Sequence, residues 1–520
     1  MKLRESVHQF DVLTTFRPIL RSAMLACLGL LVNTAGGHEL SGLGDARTSI
    51  TTDELRDHLF LLADDTLEGR EAGSRGGYAA AKYLVQQLQD RVEPAGEQRQ
   101  FTQMFSSNYR NLLGVRRGSD DQLKDEYILI GAHYDHVGYG SRRNSRGPIG
   151  YVHNGADDNA SGIAALLEVL DAISLTAPVT KRSILFAFWD GEEKGLLGSQ
   201  YWAQHPTVRL DQVRLAINVD MVGHLENDHL EVIGTRSMPG LRKFVSEVNY
   251  QNDVAIRFPW KVSTNSDHHT FFSRNIPILM FHTGLHEDYH RPSDDAETID
   301  IDGLGRVARL ILNSVVRLAN TPDLGQFRVA ARHENNESQA SFEQTLAPKR
   351  PRLGISWRAP QDDAATSGLV IEHVIAGSAA DVTGLQSGDR IVTLNDTPLL
   401  SSSTLQQATI TKETLKLSVF KQAAEAPIEM RIKLHGTPVK IGISWRHDTA
   451  EPESVTIVRV IPHSPAHMAG IRNGDRILQF DDHPISSSQQ LVNLTQKLTS
   501  QATVLVERHG QLYELSLKIH

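Results

Sequence analysis

The chain has 520 residues, too many for one ordinary core, so two to four domains are expected. Lys and Arg number 53 against 62 Asp and Glu, a formal net charge of −9. With no long basic run, this balance argues against nucleic-acid binding.

The amino terminus reads as an export signal. Arg17 and Arg21 precede an apolar run from Ala23 to Val32, and small residues follow, with a cleavage site after Ala35. The run is shorter than the ~20 residues that span a bilayer. Residues 1–35 are therefore read as a signal peptide, with no transmembrane anchor left after its removal. The only cysteine, Cys27, lies inside it. The mature chain would then have no disulfide, no thiolate metal site and no cysteine nucleophile, which suits a periplasmic or secreted protein of a bacterial envelope.

From Thr52 to Leu88 apolar residues recur at helical spacing (Leu55, Leu59, Leu62, then Ala80, Leu84, Leu88), with a turn at Leu67–Gly73. From Tyr127 to Gly284 strands alternate with helices. The strands are expected at Tyr127–His133, Ser183–Phe188, Arg214–Val219, Leu230–Ile233 and Ile276–Phe281, with a helix at Ala160–Ile173 and a closing helix at Leu304–Leu318. This alternation predicts an α/β domain over residues 49–320, a mainly parallel central sheet with helices on both faces.

Residues 321–349 are polar and mixed and read as a linker. Beyond them lies an internal repeat. Leu353-Gly354-Ile355-Ser356-Trp357-Arg358 returns as Ile441-Gly442-Ile443-Ser444-Trp445-Arg446, and Gly388-Asp389-Arg390-Ile391 returns as Gly474-Asp475-Arg476-Ile477. Two small β-rich domains follow, at 350–435 and 437–520.

Five segments carry the chemistry. They are His133-Tyr134-Asp135, Gly155-Ala156-Asp157-Asp158-Asn159-Ala160-Ser161-Gly162, Asp190-Gly191-Glu192-Glu193, Asn218-Val219-Asp220 and Asp288-Tyr289-His290. Each ends an expected strand or opens a helix, where sites gather in open α/β sheets. Taken singly, each has an ordinary reading as a solvated turn, a helix cap or a strand end. Together they place imidazoles and carboxylates at one sheet edge. Such acids repel one another unless cations neutralise them, and a thiolate-free set suits Zn²⁺, with Mn²⁺ or Co²⁺ as options.

These motifs, with Gly131-Ala132-His133-Tyr134-Asp135-His136-Val137-Gly138, Phe188-Trp189-Asp190-Gly191-Glu192-Glu193-Lys194-Gly195-Leu196-Leu197-Gly198-Ser199 and Tyr289-His290-Arg291-Pro292, resemble the co-catalytic two-zinc aminopeptidases, whose wider group includes glutamate carboxypeptidases and glutaminyl cyclases. The resemblance covers roughly Thr52 to Leu318. It implies two Zn²⁺ per catalytic domain. Asp158 would bridge both ions, with His133 and Asp220 completing one and Glu193 and His290 the other. It further implies Glu192 as general base toward a metal-bridging hydroxide, Asp135 as the carboxylate that orients His133, and Tyr289 beside the developing oxyanion. Peptides would be the substrates, cut at the amino end. Ser266-Asp267-His268 also resembles a family segment near the pocket.

Each carboxy-terminal copy resembles a PDZ domain of the bacterial, circularly permuted type. Gly354 and Ile355, and again Gly442 and Ile443, sit at the carboxylate-binding loop, which implies capture of peptide or protein chain ends. Trp357 and Trp445 are expected to pack rather than to touch ligand. Two other readings remain open at this stage. One is a different enzyme on the same fold, a carboxypeptidase or a glutaminyl cyclase. The other is a non-catalytic scaffold working through its PDZ-like modules.

Overall fold

The computed structural model describes residues 41–519 apart from 107, 177–179, 226–228, 359–367 and 423. The signal-peptide reading falls outside these residues. Among them, no helix is long and apolar enough to cross a membrane.

After a short helix, Ser41–Ser49, the helix Thr52–Leu62 is capped by Thr51, whose side chain accepts from the Glu54 amide, and it buries Leu55, Leu59 and Leu62. The helix Arg75–Leu88 is capped by Ser74 and buries Ala80, Ala81, Leu84 and Leu88. Between them, Asp65–Arg70 is a turn with Glu68 and Gly69 at positive φ.

Nine strands form one sheet: β1 (Glu93–Pro94), β2 (Thr102–Phe105), β3 (Tyr109–Arg116), β4 (Tyr127–His133), β5 (Ser183–Trp189), β6 (Val213–Val219), β7 (His229–Ile233), β8 (Ala255–Arg257) and β9 (Ile278–His282). The order is β1-β3-β5-β4-β6-β9-β7-β8, with β2 beside β3. The four central strands β5, β4, β6 and β9 run parallel. The flanking pairs β3–β5 and β7–β9 are antiparallel, so the sheet is mixed with a parallel centre. The antiparallel strands β1–β3 were not expected: β1 and β2 are only two and four residues long, and the buried run Leu112–Val115 of β3 is flanked by Arg110 and Arg116. Every residue of β4 and β5 is buried, as a centre covered on both faces requires. The helices Thr52–Leu62, Gly162–Thr176 and Ile301–Asn320 pack on one face with the larger core. Trp202 and Phe271, from the helices Leu197–Gln204 and His268–Phe272, pack with Trp189 on the other.

The segment 321–349 is built into the molecule. It carries a 3₁₀ turn, Val329–His333, and a helix, Asn336–Glu343, closed by a capping box between Asn335 and Ser338. Glu334 within it takes two bonds from Arg236 (2.7 and 2.8 Å) and two from Arg328 (2.9 and 2.7 Å).

The two repeats fold alike. The first has five main strands in the order Ile355–Arg358, Leu369–Val374, Arg390–Leu394, Thr414–Phe420, Ile428–Lys433, with a helix at Ser402–Thr411. The second has Ile443–Arg446, Val455–Val460, Arg476–Phe480, Gln501–Arg508, Gln511–Lys518 and a helix at Ser488–Lys497. Pairing is antiparallel throughout. Both copies shift register at the same place, between Ser356 and Trp357 and between Ser444 and Trp445. In each, the strand after the Gly-Ile pair is an end strand of its sheet. Trp357 and Trp445 are partly buried against their own cores.

The second repeat is docked on the α/β domain. Arg242 donates to both oxygens of the buried Glu507 (2.9 and 3.1 Å), and Arg236 pairs with Asp448 while its guanidinium lies 3.5 Å from the Trp260 ring centre. The turn at His509-Gly510 meets β8, the end strand of the large sheet. Ile256 N–H donates to the His509 carbonyl (2.7 Å), and Asn249 donates to that of Gly510 (2.8 Å). Gly510 has φ of +75°, and a Cβ there would lie 2.6 Å from Ile256, so only glycine allows this approach. Docking thus covers a sheet edge that would otherwise be open.

Candidate metal centre

The carboxyl ends of the parallel strands gather the site. His133 is the last residue of β4, Asp220 follows β6, and Asp190 to Glu193 follow β5. Asp158 sits in the wide first turn that leads into the helix Gly162–Thr176, and a cis peptide joins it to Asn159. His290 comes from the loop after β9.

Two ligand groups form around Asp158. In one, His133 Nε2 lies 3.4 Å from Asp158 Oδ1 and 3.3 Å from Asp220 Oδ1. In the other, His290 Nε2 lies 3.0 Å from Asp158 Oδ2 and 3.2 Å from Glu193 Oε1. Within each group the candidate ligand atoms lie within 4.8 Å of one another. Both imidazoles are aimed in the same way. His133 Nδ1 donates to the Asp135 carbonyl (3.1 Å) and His290 Nδ1 to the Asn144 carbonyl (2.7 Å). A carbonyl can only accept, so each Nδ1 carries its proton and each Nε2 is turned toward the carboxylates.

The second group includes a residue to which the sequence reading gave no role. His136 Nδ1 is 2.9 Å from Glu193 Oε1 and 3.8 Å from Asp158 Oδ2, and its ring meets that of His290 edge-on at 84°. His136 Nδ1 and Nε2, Glu193 Oε1 and His290 Nε2 are buried without a hydrogen-bond partner. The signal was its place three residues after His133, at the same strand end.

Asp135 acts differently from the expectation. Its carboxylate stands 3.9 Å from His133 Nδ1, and it is the main-chain carbonyl that takes that proton. The carboxylate instead accepts from the amides of Glu192 (3.0 Å) and Glu193 (3.4 Å). Asp135 therefore holds the turn that brings two adjacent glutamates into one site, a turn entered through Gly191 at φ +72°. The reason is local: past the end of β4, the carbonyl two residues on reaches the ring, which leaves the side chain free.

Other supports became visible only in three dimensions. Asp294 accepts from the amides of Asp157 (2.8 Å) and Asp158 (3.1 Å). Burial, with Asp157 beside it, pushes its carboxyl up to about 7. The guanidinium of buried Arg70 donates to the carbonyls of Leu62, Tyr134, Asn154 and Gly155, a cation set beneath the acids. Ser266 Oγ donates to Asp220 Oδ2 (2.5 Å), while Asp267 is buried, its carboxyl raised to about 6 by desolvation, and His268 bonds the Ser263 carbonyl (2.9 Å). Ser266 thus steadies Asp220, and His268 has a structural partner. The ring of Tyr289 stacks on His290 at 3.9 Å.

The electrostatics follow from burial against pairing. Burial alone would raise the Glu193 carboxyl, but the imidazoles of His136 and His290, 2.9 and 3.2 Å from its Oε1, hold it below the ordinary range. Burial lifts Glu192 well above that range, with Glu193 adding to the rise. Burial lowers both His133 and His290, yet the surrounding carboxylates outweigh it: His133 ends well above the ordinary value, through Glu192 and Asp220, and His290 near 10, through Asp158 and Glu193.

A third group, Asp157, His224 and His286, has a different geometry. The two rings stack at 4.0 Å in planes 19° apart, so their in-plane lone pairs do not meet at one point. His286 Nε2 instead faces Asp157 Oδ2 at 3.2 Å. This is an ion pair behind the centre rather than another ligand set.

Two imidazole–carboxylate groups that share one aspartate, at the carboxyl ends of a mixed sheet, have the donor set of a dinuclear metal site. Residues 111–315 match the model of Peptidase family M28, and residues 343–419 and 439–519 each match a PDZ domain model. The chain thus carries a domain of the M28 peptidase family followed by two PDZ domains. It is 28% identical over 269 residues to a protein of Pyrenophora tritici-repentis described as a "Probable zinc metalloprotease", covering 42% of this chain and 59% of that one. A second such protein, of Pyrenophora teres f. teres, is 32% identical over 234 residues, 43% of each chain. Leucine aminopeptidase 1 of Trichophyton rubrum is 26% identical over 263 residues, 47% of this chain and 68% of that one. The chain thus spans about half the length of the first two relatives. Among solved structures, the LapA aminopeptidase of Legionella pneumophila superposes with a TM-score of 0.45 at 20% identity, covering 55% of this chain and 76% of that one.

Proposed function

We propose that the protein is an exported two-zinc aminopeptidase that removes residues from the amino ends of peptides, with PDZ modules that bind peptide or protein chain ends. The observation that carries this reading is the pair of ligand groups sharing Asp158, with a carboxylate beside them, Glu192, that belongs to neither. The donors fit the metal: imidazole and carboxylate without thiolate suit Zn²⁺, and a cation would satisfy the orphaned atoms of His136, Glu193 and His290. His133, Asp158 and Asp220 would hold one ion, and Asp158, Glu193 and His290 the other, with His136 against the second.

When bound, such a pair polarises the scissile carbonyl and makes water acidic enough to deprotonate near neutral pH. The chain's own residues supply the rest. Glu192, held by the Asp135–amide bonds, takes the proton from water at its carboxylate and returns it to the leaving amine. The main-chain carbonyls of Asp135 and Asn144 keep His133 and His290 in the tautomer that binds metal. Tyr289, fixed against His290, supports its ring. Export rests on the amino-terminal pattern alone and is tested by sequencing the amino end of the protein recovered from cell fractions.

The function is tested by mass spectrometry of peptides incubated with the zinc-loaded protein, each free or acetylated at its amino end. Loss of single amino-terminal residues from free peptides only is expected. Cleavage of acetylated peptides would instead indicate a carboxypeptidase or endopeptidase, and loss of ammonia from amino-terminal Gln a cyclase. Glu192→Gln should lower turnover by at least about 100-fold while two zinc ions per chain remain by elemental analysis. Unchanged turnover would remove Glu192 from its role.

A further inference from the structure

A loop that the proposed chemistry does not use leans over the site. Residues 139–151 leave β4 shortly after His136 and return before Asp158. The loop is tied at its base, where Gly150 N–H donates to the Tyr139 carbonyl (2.8 Å), and braced within, where Asn144 Oδ1 accepts from the amide and hydroxyl of Ser141 (2.8 and 2.6 Å). It is clipped to His290 from both sides. His290 Nδ1 donates to the Asn144 carbonyl (2.7 Å), and the Arg146 amide donates to the His290 carbonyl (3.0 Å). The side chain of Arg146 is therefore held in register with the metal centre.

The loop carries Arg142, Arg143 and Arg146, and the Arg291 side chain lies against it at Gly147. All four arginines are exposed, and among the described residues none of their guanidinium groups has a carboxylate partner. In a chain of net charge −9, four arginines without carboxylate partners on and against one loop form a cationic cluster. Arg146 is the best placed. Its guanidinium carbon lies 4.5 Å from the centre of the Tyr289 ring, which stacks 3.9 Å from His290. An extended residue spans about 3.3–3.6 Å, so a carboxylate one or two residues from a carbonyl at the metal centre reaches that guanidinium.

We infer that Arg146 is a specificity-determining residue that binds a substrate carboxylate close to the scissile bond, and that Arg142, Arg143 and Arg291 supply the field that draws it in. The inference rests on the peptidase reading above. The carboxylate has two sources, the chain end of a di- or tripeptide or the side chain of an acidic residue next to the cut. A guanidinium suits either, because its planar donors match the two oxygens.

The test compares kcat/KM for Leu-Ala with Leu-Ala-amide, and for Leu-Asp-Ala-amide with Leu-Asn-Ala-amide, in the wild-type protein, Arg146→Gln and Arg146→Lys. A preference of about tenfold in the first pair assigns the chain-end carboxylate, and the same preference in the second pair assigns the acidic side chain. Either supports the proposal if the ratio falls towards one in Arg146→Gln, is partly kept in Arg146→Lys, and shrinks as salt is raised. Turnover of all four peptides without discrimination overturns the proposal and leaves the peptidase reading standing. So does an equal loss on all four in Arg146→Gln, which would mark Arg146 as a prop for His290 alone. No turnover of any peptide overturns both.

Discussion

The two PDZ domains share a sequence pattern, a strand order and a register shift, yet they stand in different relations to the peptidase. Among the described residues, no hydrogen bond or ion pair joins residues 353–434 to the catalytic domain, whereas the second module is held by buried pairs. The divergence is traceable to single positions. Arg390 in the first module faces Phe420, with its guanidinium 4.8 Å from that ring, while its counterpart Arg476 faces Glu507. The acid at 507 is what Arg242 of the catalytic domain binds. Arg358 pairs loosely with Glu372 at 3.9 Å, whereas its counterpart Arg446 donates to the carbonyls of Ser341 and Phe342 in the connecting segment. The pairs that hold the module's own turn are kept in both, Lys421 with Asp389 and Arg508 with Asp475. One fold thus serves as a docked part and as an undocked module, the choice being made by charges outside its core.

The contrast breaks most visibly at Arg242. Arg242→Ala leaves Glu507 buried with the Gly510 amide as donor and Arg476 at 4.0 Å, and removing one partner of a buried pair costs on the order of 3–5 kcal/mol. Thermal unfolding should shift down, and amide exchange in 501–515 should rise while that in 390–420 does not. An unchanged exchange pattern would show that the backbone contacts at Gly510 dock the module unaided.

A smaller change of opposite sign is expected at Glu451, whose buried carboxyl is pushed up to about 7 by desolvation. A folded value above the unfolded one means stability that is full below about 4.5 and is lost as pH rises through about 7. Glu451→Gln should therefore raise the melting temperature at pH 8, by roughly 1–2 kcal/mol of stability, and flatten the decline between these values. A melting curve at pH 8 that matches the wild type would argue against an ionised carboxyl at this position.

Acid should undo the docking more gently. Burial raises the Glu334 carboxyl, but bonds from Arg236 and Arg328 outweigh it and hold it down to about 2. Its contribution is present above about 4.5 and is lost as pH falls through about 2. Exchange protection around Asp448 should weaken over that window before the first module responds. The smallest effect belongs to the first module's exposed pair, where Arg358→Ala should cost at most about 0.5 kcal/mol. A loss as large as that of Arg242→Ala would show that the first module is anchored after all.

The depth to which the site was legible varies with the range of the contact. The strand ends bearing His133 and Asp220, the turn bearing Glu192 and Glu193, and the glycine-rich approach to Asp158 are local patterns, and chain order announces them. His136 stood in the motif without a role, because its neighbour Glu193 lies in the turn after another strand. Arg70 read as a turn residue and Asp294 carried no signal, since the carbonyls and amides they hold come from distant segments. The connecting segment 321–349 looked like a spacer because its polarity is that of a spacer, yet its charges are spent on Arg236, Arg328 and Arg476. Asp135 shows the limit at close range. Its position beside His133 was plain, but whether carbonyl or carboxylate meets the ring depends on the path of the chain beyond β4.

By itself the sequence determined the α/β alternation, the repeat of two small β modules and the kinds of side chain available for a metal centre, because periodicity and residue chemistry are properties of neighbours along the chain. The tertiary structure alone decided which imidazoles share Asp158, where the arginine-bearing loop stands over His290, and which of two modules of the same fold is bound to the α/β domain. Those outcomes depend on distances between segments up to hundreds of residues apart, and burial then sets the strength of each charge that meets there.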